Sequence, residues 1–499
     1  MLHTISINKI VKILKEKDLL VENHVSNSEL SFNQVSYDSS KVSGQTLFFC
    51  KGAHFKVGYL KLALKNGALA YISEKKYDVE ADFILVKDIR LTISILAPIF
   101  FENPADAFNL IGITGTKGKT TLAYFIKNIL DEASRTETGL VGTVETITGI
   151  THQSSLNTTP EPFDLQNFLD EARQAKLPYF TMEVSSQAFK YGRVLGMTFD
   201  HGIWLNIAED HISPVEHPDF EDYISSKLHL MTSSREVLIN RETDYFDRVY
   251  QTAQGSALLP KIYTYASEKY ADSVDFFYSN VLRNGTKLSF TVYGKNGYKE
   301  NFQISTLGLF NVENATAAVA QAKIIGIDDE SIRKGLIKTE IPGRMNIWEK
   351  NGVTVVVDYA HNALSYQALY ESLKQYYPEN KIISVGGQVG NKALQRRKEF
   401  GEVVGRFSDS IIITADDPQY EEIRKISEEM ASYLPVDSNY EIIEDRVEAI
   451  SKAINNAETG DVVVLLSKGT DNTQKVNGRL EPYISDTKLA KQLLGIFKN

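Results

Sequence analysis

One stretch, Leu110–Thr121 (LIGITGTKGKTT), constrains this chain more than any other. An apolar run enters Thr114, Gly115, Thr116, Lys117, Gly118, Lys119, Thr120 and Thr121. Leu122, Phe125, Ile126, Ile129 and Leu130 then recur at helical spacing. The pattern is strand, glycine-rich turn, helix. Such a turn aims backbone N–H groups and a helix N-terminus at one point, which suits a phosphate. Lys119 is expected to reach the outer phosphates and the Thr120 hydroxyl to sit on magnesium. The strict phosphate-loop spacing puts a glycine where Ile113 stands, with Gly112 one place earlier. A plain tight turn leaves the lysine and two threonines after the last glycine unexplained, so the stretch is read as a nucleoside triphosphate site.

At 499 residues the chain exceeds one ordinary core, and about three domains are expected. Hydrophobic content of 42% beside 24% charged residues reads as globular and soluble. A net charge of −10 argues against a general nucleic-acid or anionic-membrane surface, while leaving room for a basic pocket. The single cysteine, Cys50, excludes an internal disulfide and a cysteine-built zinc site, in keeping with a reducing cytoplasm. Its neighbours Thr46-Leu47-Phe48-Phe49 mark it as a small buried hydrophobe rather than a nucleophile. Lys9, Lys12, Lys15 and Lys17 punctuate an amphipathic start without a long apolar run. Neither signal peptide nor membrane span is read there.

Residues 1–105 read as a small α/β domain. A helix over Ile7–Lys15 is followed by Asp38-Ser39-Ser40-Lys41-Val42, a Ser-Gly turn and Thr46–Cys50. Next come a helix over Leu60–Asn66 and strands at Ala68–Ser73 and Phe83–Val86. Ser39 either caps a turn or binds a ligand oxygen. Glu102-Asn103-Pro104-Ala105 reads as a linker.

Residues 106–340 form the domain built on the loop. Strands at Gly139–Thr146, Tyr179–Val184 and Gly202–Asn206 alternate with helical stretches. This indicates a mainly parallel, doubly wound sheet with its ligand crevice at the strand carboxyl ends. Glu183 closes an apolar strand. A carboxylate is costly to bury there without a partner, and magnesium beside the loop would be one. Asn206-Ile207-Ala208-Glu209-Asp210-His211 repeats the arrangement. Asn284-Gly285 and Asn296-Gly297 mark two hairpin turns. Leu309-Phe310-Asn311-Val312-Glu313-Asn314 opens an alanine-rich helix, with Asn311 as its expected cap.

Ile341-Pro342-Gly343-Arg344 is the second joint. Over residues 341–499, strands Val353–Asp358, Lys381–Gly386, Ser410–Ala415, Tyr440–Ile443 and Asp461–Leu466 predict a second doubly wound sheet. Polar clusters close three of these strands, at Asp358–Asn362, Thr414–Gln419 and Ser467–Asp471. By the switch-point rule they mark a pocket.

TGTKGKTT (114–121), NTTP (157–160), EVSSQ (183–187), EDH (209–211), SSKLHL (225–230), GLFNVENA (308–315), PGRM (342–345), DYAHN (358–362), DDP (416–418) and KGTD (468–471) occur in that order. Together they resemble the Mur ligases of peptidoglycan synthesis over nearly the whole chain, most closely the members that add the third amino acid. The resemblance implies an N-terminal UDP-binding domain, a central ATPase domain and a Rossmann-like C-terminal domain that closes on ATP and binds the incoming amino acid. It also implies ATP-driven amide formation through an acyl phosphate on the D-glutamyl carboxylate of UDP-N-acetylmuramoyl-L-alanyl-D-glutamate.

On this resemblance, Thr120 and Glu183 bind one magnesium, and His211 helps bind a second. Lys227 matches the family lysine that carries a carbon dioxide-derived carbamate. A free lysine titrates at roughly 10.4, so burial must help it lose its proton first. Thr158, Thr159, Ser185 and Arg193 contact the nucleotide–peptide substrate, and Ser39 its uridine end, with Ser40 standing where the family usually has Arg. Asn311, Asn314, Arg344, Asp358 and Asn362 surround adenosine or its phosphates. Arg396 and Arg397 are further phosphate contacts.

Family members that add meso-diaminopimelate carry Asp-Asn-Pro-Arg, whose arginine grips the distal carboxylate. Here Asp416-Asp417-Pro418-Gln419 stands instead: the arginine is absent and a carboxylate is added. With Asp471, this change of sign points to L-lysine; a solvated Asp pair at a strand end is the bland alternative. A folylpolyglutamate synthetase-like ligase lacks a counterpart of residues 1–105. A non-catalytic ATP switch leaves Glu183, His211 and Lys227 unused. The expectation is therefore a cytoplasmic, monomeric ligase of small molecules with no nucleic-acid partner.

Overall fold

Runs rich in Val, Ile and Leu alternate with amphipathic helices along most of the chain, and they build mostly parallel sheets. The computed structural model describes residues 3–52, 55–210, 212, 216–285 and 287–496. The chain divides into two compact units. One comprises Met1–Phe277, Val292–Lys299 and Thr316–Gly335; the other comprises Tyr278–Thr291, Glu300–Ala315 and Leu336–Asn499.

In the first unit, the N-terminal sheet runs in the order Leu20–His24, Asp82–Val86, Ala68–Ser73, Thr46–Phe49, Gln34–Ser36, parallel except for its first pair. Strand alternation sends Phe49 and Ile72 to one face, under Ile10, Ile93 and Leu96. Phe48 and Tyr71 go to the other, under Leu60 and Ala63. Cys50 lies on that second face, and burial pushes its thiol well above the usual range.

The helix Ile89–Phe100 contains Pro98; the Asp88 cap on Leu91 N and its apolar face sustain it. One local expectation fails in this region. The expected linker is packed: Pro104–Ala107 is a short 3-10 turn with Pro104 and Ala105 buried, and Arg173 donates to the carbonyls of Phe101 and Glu102. The N-terminal segment is tied to the helix Pro162–Gln174 and its approach by His3–Asp170 (2.8 Å), Tyr37–Asp164 and Lys51–Glu161.

The larger sheet of this unit runs His152–Ser154, Glu145–Ile147, Gly139–Val141, Tyr179–Glu183, Asn109–Thr114, Phe199–Trp204, Ser234–Asn240, Lys261–Ser267. Its inner pairs are parallel, and the strand leading into the glycine-rich turn lies between the one ending at Glu183 and the one ending at Trp204. The single strand expected over Gly139–Thr146 is two antiparallel strands, separated by a turn at residues 142–144.

Strands Phe276–Asn284, Lys287–Gly294 and Lys299–Ile304 flank the two Asn-Gly pairs, as expected. Asn296 and Gly297 both take the left-handed conformation (φ 62° and 76°) that a tight turn requires. The helix Leu309–Ile325 begins two residues before Asn311, which is therefore not its cap. Asn311 sits in the first turn and donates through Nδ2 to Leu307 O at 2.6 Å.

The second unit carries a sheet ordered Asn346–Lys350, Val353–Asp358, Val462–Leu466, Ile382–Gly386, Ser410–Ile413, Tyr440–Ile442, parallel beyond its first pair. Val462–Leu466 is buried throughout. Parallel register places the segments after Asp358, Leu466, Gly386 and Ile413 along one edge. Among the described residues no helix is long and apolar enough to cross a membrane.

Candidate active site

In the first unit the glycine-rich turn leaves its strand with the Thr114 hydroxyl donating to Val184 O (2.9 Å). Gly115 takes φ 155°, and a Cβ there would lie 2.9 Å from that of Leu205, so the chain passes too closely for a side chain. Asn206 clamps the turn: its carbonyl accepts from Thr116 N (3.0 Å), its Oδ1 from Lys117 N (2.9 Å), and its Nδ2 donates to Lys117 O (3.1 Å). Gly118, at φ 87°, opens the helix Lys119–Ser134 without a side-chain cap. That helix start, with Lys119, Thr120 and Thr121 on its first turn, can therefore receive an anion.

Two lysines converge on one carbonyl of the turn. Lys119 Nζ donates to Gly115 O at 2.8 Å and Lys227 Nζ at 2.9 Å. Lys227 comes from the helix Phe220–Thr232, is 2% exposed and lies 4.8 Å from the centre of the Tyr223 ring. Burial, reinforced by the nearby charge of Lys119, holds its amine well below the usual lysine range. Tyr223 ties this helix to the turn through Thr116 Oγ1 (3.1 Å), which also accepts from Ala208 N (3.0 Å). Lys117 faces Asp210 at 3.4 Å.

Glu183 ends the neighbouring strand and is 1% exposed. Thr143 satisfies both of its carboxylate oxygens, N donating to Oε1 (2.8 Å) and Oγ1 to Oε2 (3.0 Å). Gly142 permits the approach, since a Cβ there would lie 2.6 Å from Oε1. This packing breaks the expected long strand. His211 lies outside the described residues, and among those described no three His, Cys, Asp or Glu side chains form a metal cage. Magnesium needs only one or two carboxylates beside phosphate oxygens and water, so Glu183 and Thr120 suit it.

Around the end of the same strand, Thr159 Oγ1 donates to Glu183 O (2.9 Å) and accepts from Ser185 N (3.1 Å), while Ser185 caps the helix Ser186–Lys190. Thr158 reaches the Thr143 hydroxyl at 3.1 Å. Arg193 donates to Thr159 O (3.0 Å) and pairs with Glu161 (2.7 Å), which Lys51 also engages. The NTTP, EVSSQ and Arg193 positions are thus one cluster. Ser39 lies in the N-terminal region; the cap of its turn is Asp38, accepting from Ser40 N, and the Ser39 carbonyl accepts from Asn66.

In the second unit, Asp358 accepts from Met345 N (2.8 Å) and Ala360 N (2.7 Å), and burial raises its carboxyl against the opposing pull of Arg344. Arg344 lies over the Tyr359 ring (5.2 Å). Asn362 caps the helix Ala363–Tyr376 in a reciprocal box with Ser365. Asn311 and Asn314 lie on the first turns of their helix and are buried. Arg397 is not available to a phosphate as placed: it is buried and paired with Glu421 (2.9 Å) and Glu429 (2.5 Å).

The DDPQ and KGTD segments meet around Lys468. Its Nζ lies 2.9 Å from Asp417, 3.6 Å from Asp471 and 3.7 Å from Asp416. Burial raises the Asp416 carboxyl to about 6, against the pull of Lys468 and Arg446. Asp417 also accepts from Lys475 N (3.1 Å), and Gln419, at φ 57°, pairs N to Lys475 O (2.9 Å), which fixes Pro418 between them. The Asp pair is therefore not a solvated strand end. Sequence reasoning missed Thr143, Tyr223 and Lys468 as working residues, since each takes its meaning from a partner far along the chain. For Lys468 a signal existed: a lysine two residues after a fully apolar strand.

Comparison with known proteins matches residues 113–322 to the Mur ligase middle domain and 343–469 to the Mur ligase, glutamate ligase domain. The UDP-N-acetylmuramoyl-L-alanyl-D-glutamate–L-lysine ligase of Enterococcus faecalis is 40% identical, covering 98% of this chain and 99% of its own. The ligase of the same name from Streptococcus pneumoniae is 39% identical, covering 98% and 100%. A solved UDP-N-acetylmuramoyl-L-alanyl-D-glutamate–2,6-diaminopimelate ligase superposes with TM-score 0.66 at 25% identity, over 99% of each chain.

Proposed function

This chain belongs to the Mur ligase family, and on that premise we propose that it uses ATP to join L-lysine to UDP-N-acetylmuramoyl-L-alanyl-D-glutamate in cytoplasmic peptidoglycan precursor synthesis. The observation that carries the ligase reading is the convergence of Lys119 and Lys227 on the Gly115 carbonyl. Residues 1–105 are assigned to the UDP substrate, 106–340 to the ATPase and 341–499 to closure on ATP and to the amino acid.

The D-glutamyl carboxylate attacks the γ-phosphorus of ATP, ADP leaves, and an acyl phosphate results. The neutral α-amine of lysine then attacks the acyl carbon. The tetrahedral adduct expels inorganic phosphate and releases a proton as the amide forms. Lys119 and the N–H groups that open its helix bind the triphosphate and stabilise charge on the transferring phosphoryl group. Bound magnesium, held by Thr120 and Glu183, would further offset that charge. Thr143 keeps the Glu183 carboxylate aimed by donating to both oxygens.

A depressed amine at Lys227 is the form that adds carbon dioxide, so a carbamate there fits its burial and the adjoining charge of Lys119. Thr158, Thr159, Ser185 and Arg193 orient the muramoyl dipeptide, and Ser39 takes the uridine end. Asn311, Asn314, Arg344 and Asp358 serve the nucleotide, with Asn362 remaining the helix cap it already is.

Asp416, Asp417 and Asp471 supply negative charge for a distal ammonium, and Gln419 offers no cation to a distal carboxylate. Purified protein given ATP, magnesium, the UDP-muramoyl dipeptide and equal L-lysine and meso-diaminopimelate should yield a product with the mass of the lysine adduct. A diaminopimelate adduct in excess would overturn the assignment.

A further inference from the structure

Lys468 follows the fully apolar strand Val462–Leu466 and is itself buried, yet it is held as a cation. Burial works against its charge, but Asp416, Asp417 and Asp471 outweigh that penalty and raise its ammonium above the usual range. Three carboxylates surround one resident ammonium, so the cluster retains unanswered negative charge. The backbone makes this arrangement rigid. Lys475 N holds Asp417, and Gln474 Nε2 donates to Asp416 O at 3.0 Å. Arg446, paired in two-pronged fashion with Asp486, fixes the strand ends by donating to Ala415 O (3.0 Å) and Leu466 O (2.6 Å).

We propose that Lys468 is a specificity-setting positioning residue: its buried ammonium gathers Asp416, Asp417 and Asp471 into one acidic cluster whose surplus charge selects an incoming side chain that ends in a cation and lacks a carboxylate. Without Lys468, three carboxylates in this setting repel one another, and Asp416 takes up a proton. The groups that face Asp416 are Lys468, Arg446, Asp417, Asp471 and the phenols of Tyr359 and Tyr366. Of these Lys468 is the cation closest to all three carboxylates. The inference rests on the lysine-adding reading.

The test measures KM for L-lysine and for the UDP-muramoyl dipeptide, together with kcat, in wild type, Lys468→Met, Lys468→Gln and Lys468→Arg between pH 6 and 8.5. Loss of the charge in Met and Gln should raise KM for lysine about tenfold or more, with KM for the dipeptide within about twofold. The defect should shrink as pH rises, because a higher pH restores the charge on Asp416. Arginine should recover most of the affinity, and the preference for L-lysine over L-norleucine should fall in Met and Gln alone. If the Met variant does not fold, the Gln and Arg variants decide the matter. An unchanged KM for lysine, or equal losses for both substrates without rescue by Arg, overturns the proposal. Wild-type protein that adds no lysine at all overturns the underlying reading instead.

Discussion

Lys227 and Lys468 are alike in burial, at 2% and 1% exposed, and unlike in their surroundings. Lys227 meets a backbone carbonyl, a tyrosine face and the charge of Lys119, and its amine falls below the ordinary range. Lys468 meets three carboxylates and its ammonium rises. Burial penalises both charges; at Lys227 the charge of Lys119 adds to that penalty, and at Lys468 the three carboxylates outweigh it. On the function proposed above, Lys227 would then add carbon dioxide in the first unit, and the cluster around Lys468 would receive an ammonium in the second.

The contrast between the two lysines depends most heavily on Lys119. Lys119→Ala should lower kcat about a thousandfold or more, with the thermal midpoint nearly unchanged. It should also relieve the depression of Lys227, so that a carbamate signal from labelled carbon dioxide, read by carbon NMR, weakens; the same signal should vanish in Lys227→Ala. An undiminished carbamate signal in Lys119→Ala would mean that burial alone sets the Lys227 amine.

Asp486→Asn attacks the support of the acidic cluster. It removes one partner of a buried ion pair and should cost about 3 kcal/mol of stability, read by denaturant unfolding. A smaller effect sharpens the acidic side. Asp416 has a carboxyl near 6, and below that pH it is neutral, so KM for lysine should rise several-fold between pH 7 and pH 5. KM for ATP should not follow it. The smallest effect belongs to an exposed pair such as Lys12–Glu16: Lys12→Ala should move the thermal midpoint by about a degree or less.

What the sequence made legible was local and periodic. The strand Val353–Asp358 and the helix beginning at Ile7 fall where the pattern places them, because apolar runs and helical spacing are short-range signals. The glycine-rich turn was equally plain, since glycines, lysines and threonines occur there within a few residues. The errors arise where a distant partner overrides local preference. Thr143 reaches Glu183 and so breaks a run that reads as one strand; Arg173 reaches the carbonyls of Phe101 and Glu102 and turns an apparent linker into packed chain. Asn311 looks like a cap, yet Leu309 and Phe310 already belong to the helix. Lys468 was read as part of a motif, and only the fold brings Asp416 and Asp417 to it.

The central claim is that a phosphoryl group passes from ATP to the D-glutamyl carboxylate before the amide forms. Dipeptide substrate labelled with oxygen-18 in that carboxylate, turned over with ATP and L-lysine, tests it directly. The released inorganic phosphate should carry one labelled oxygen per amide bond made. Phosphate free of label, with labelled oxygen appearing in water instead, would contradict it.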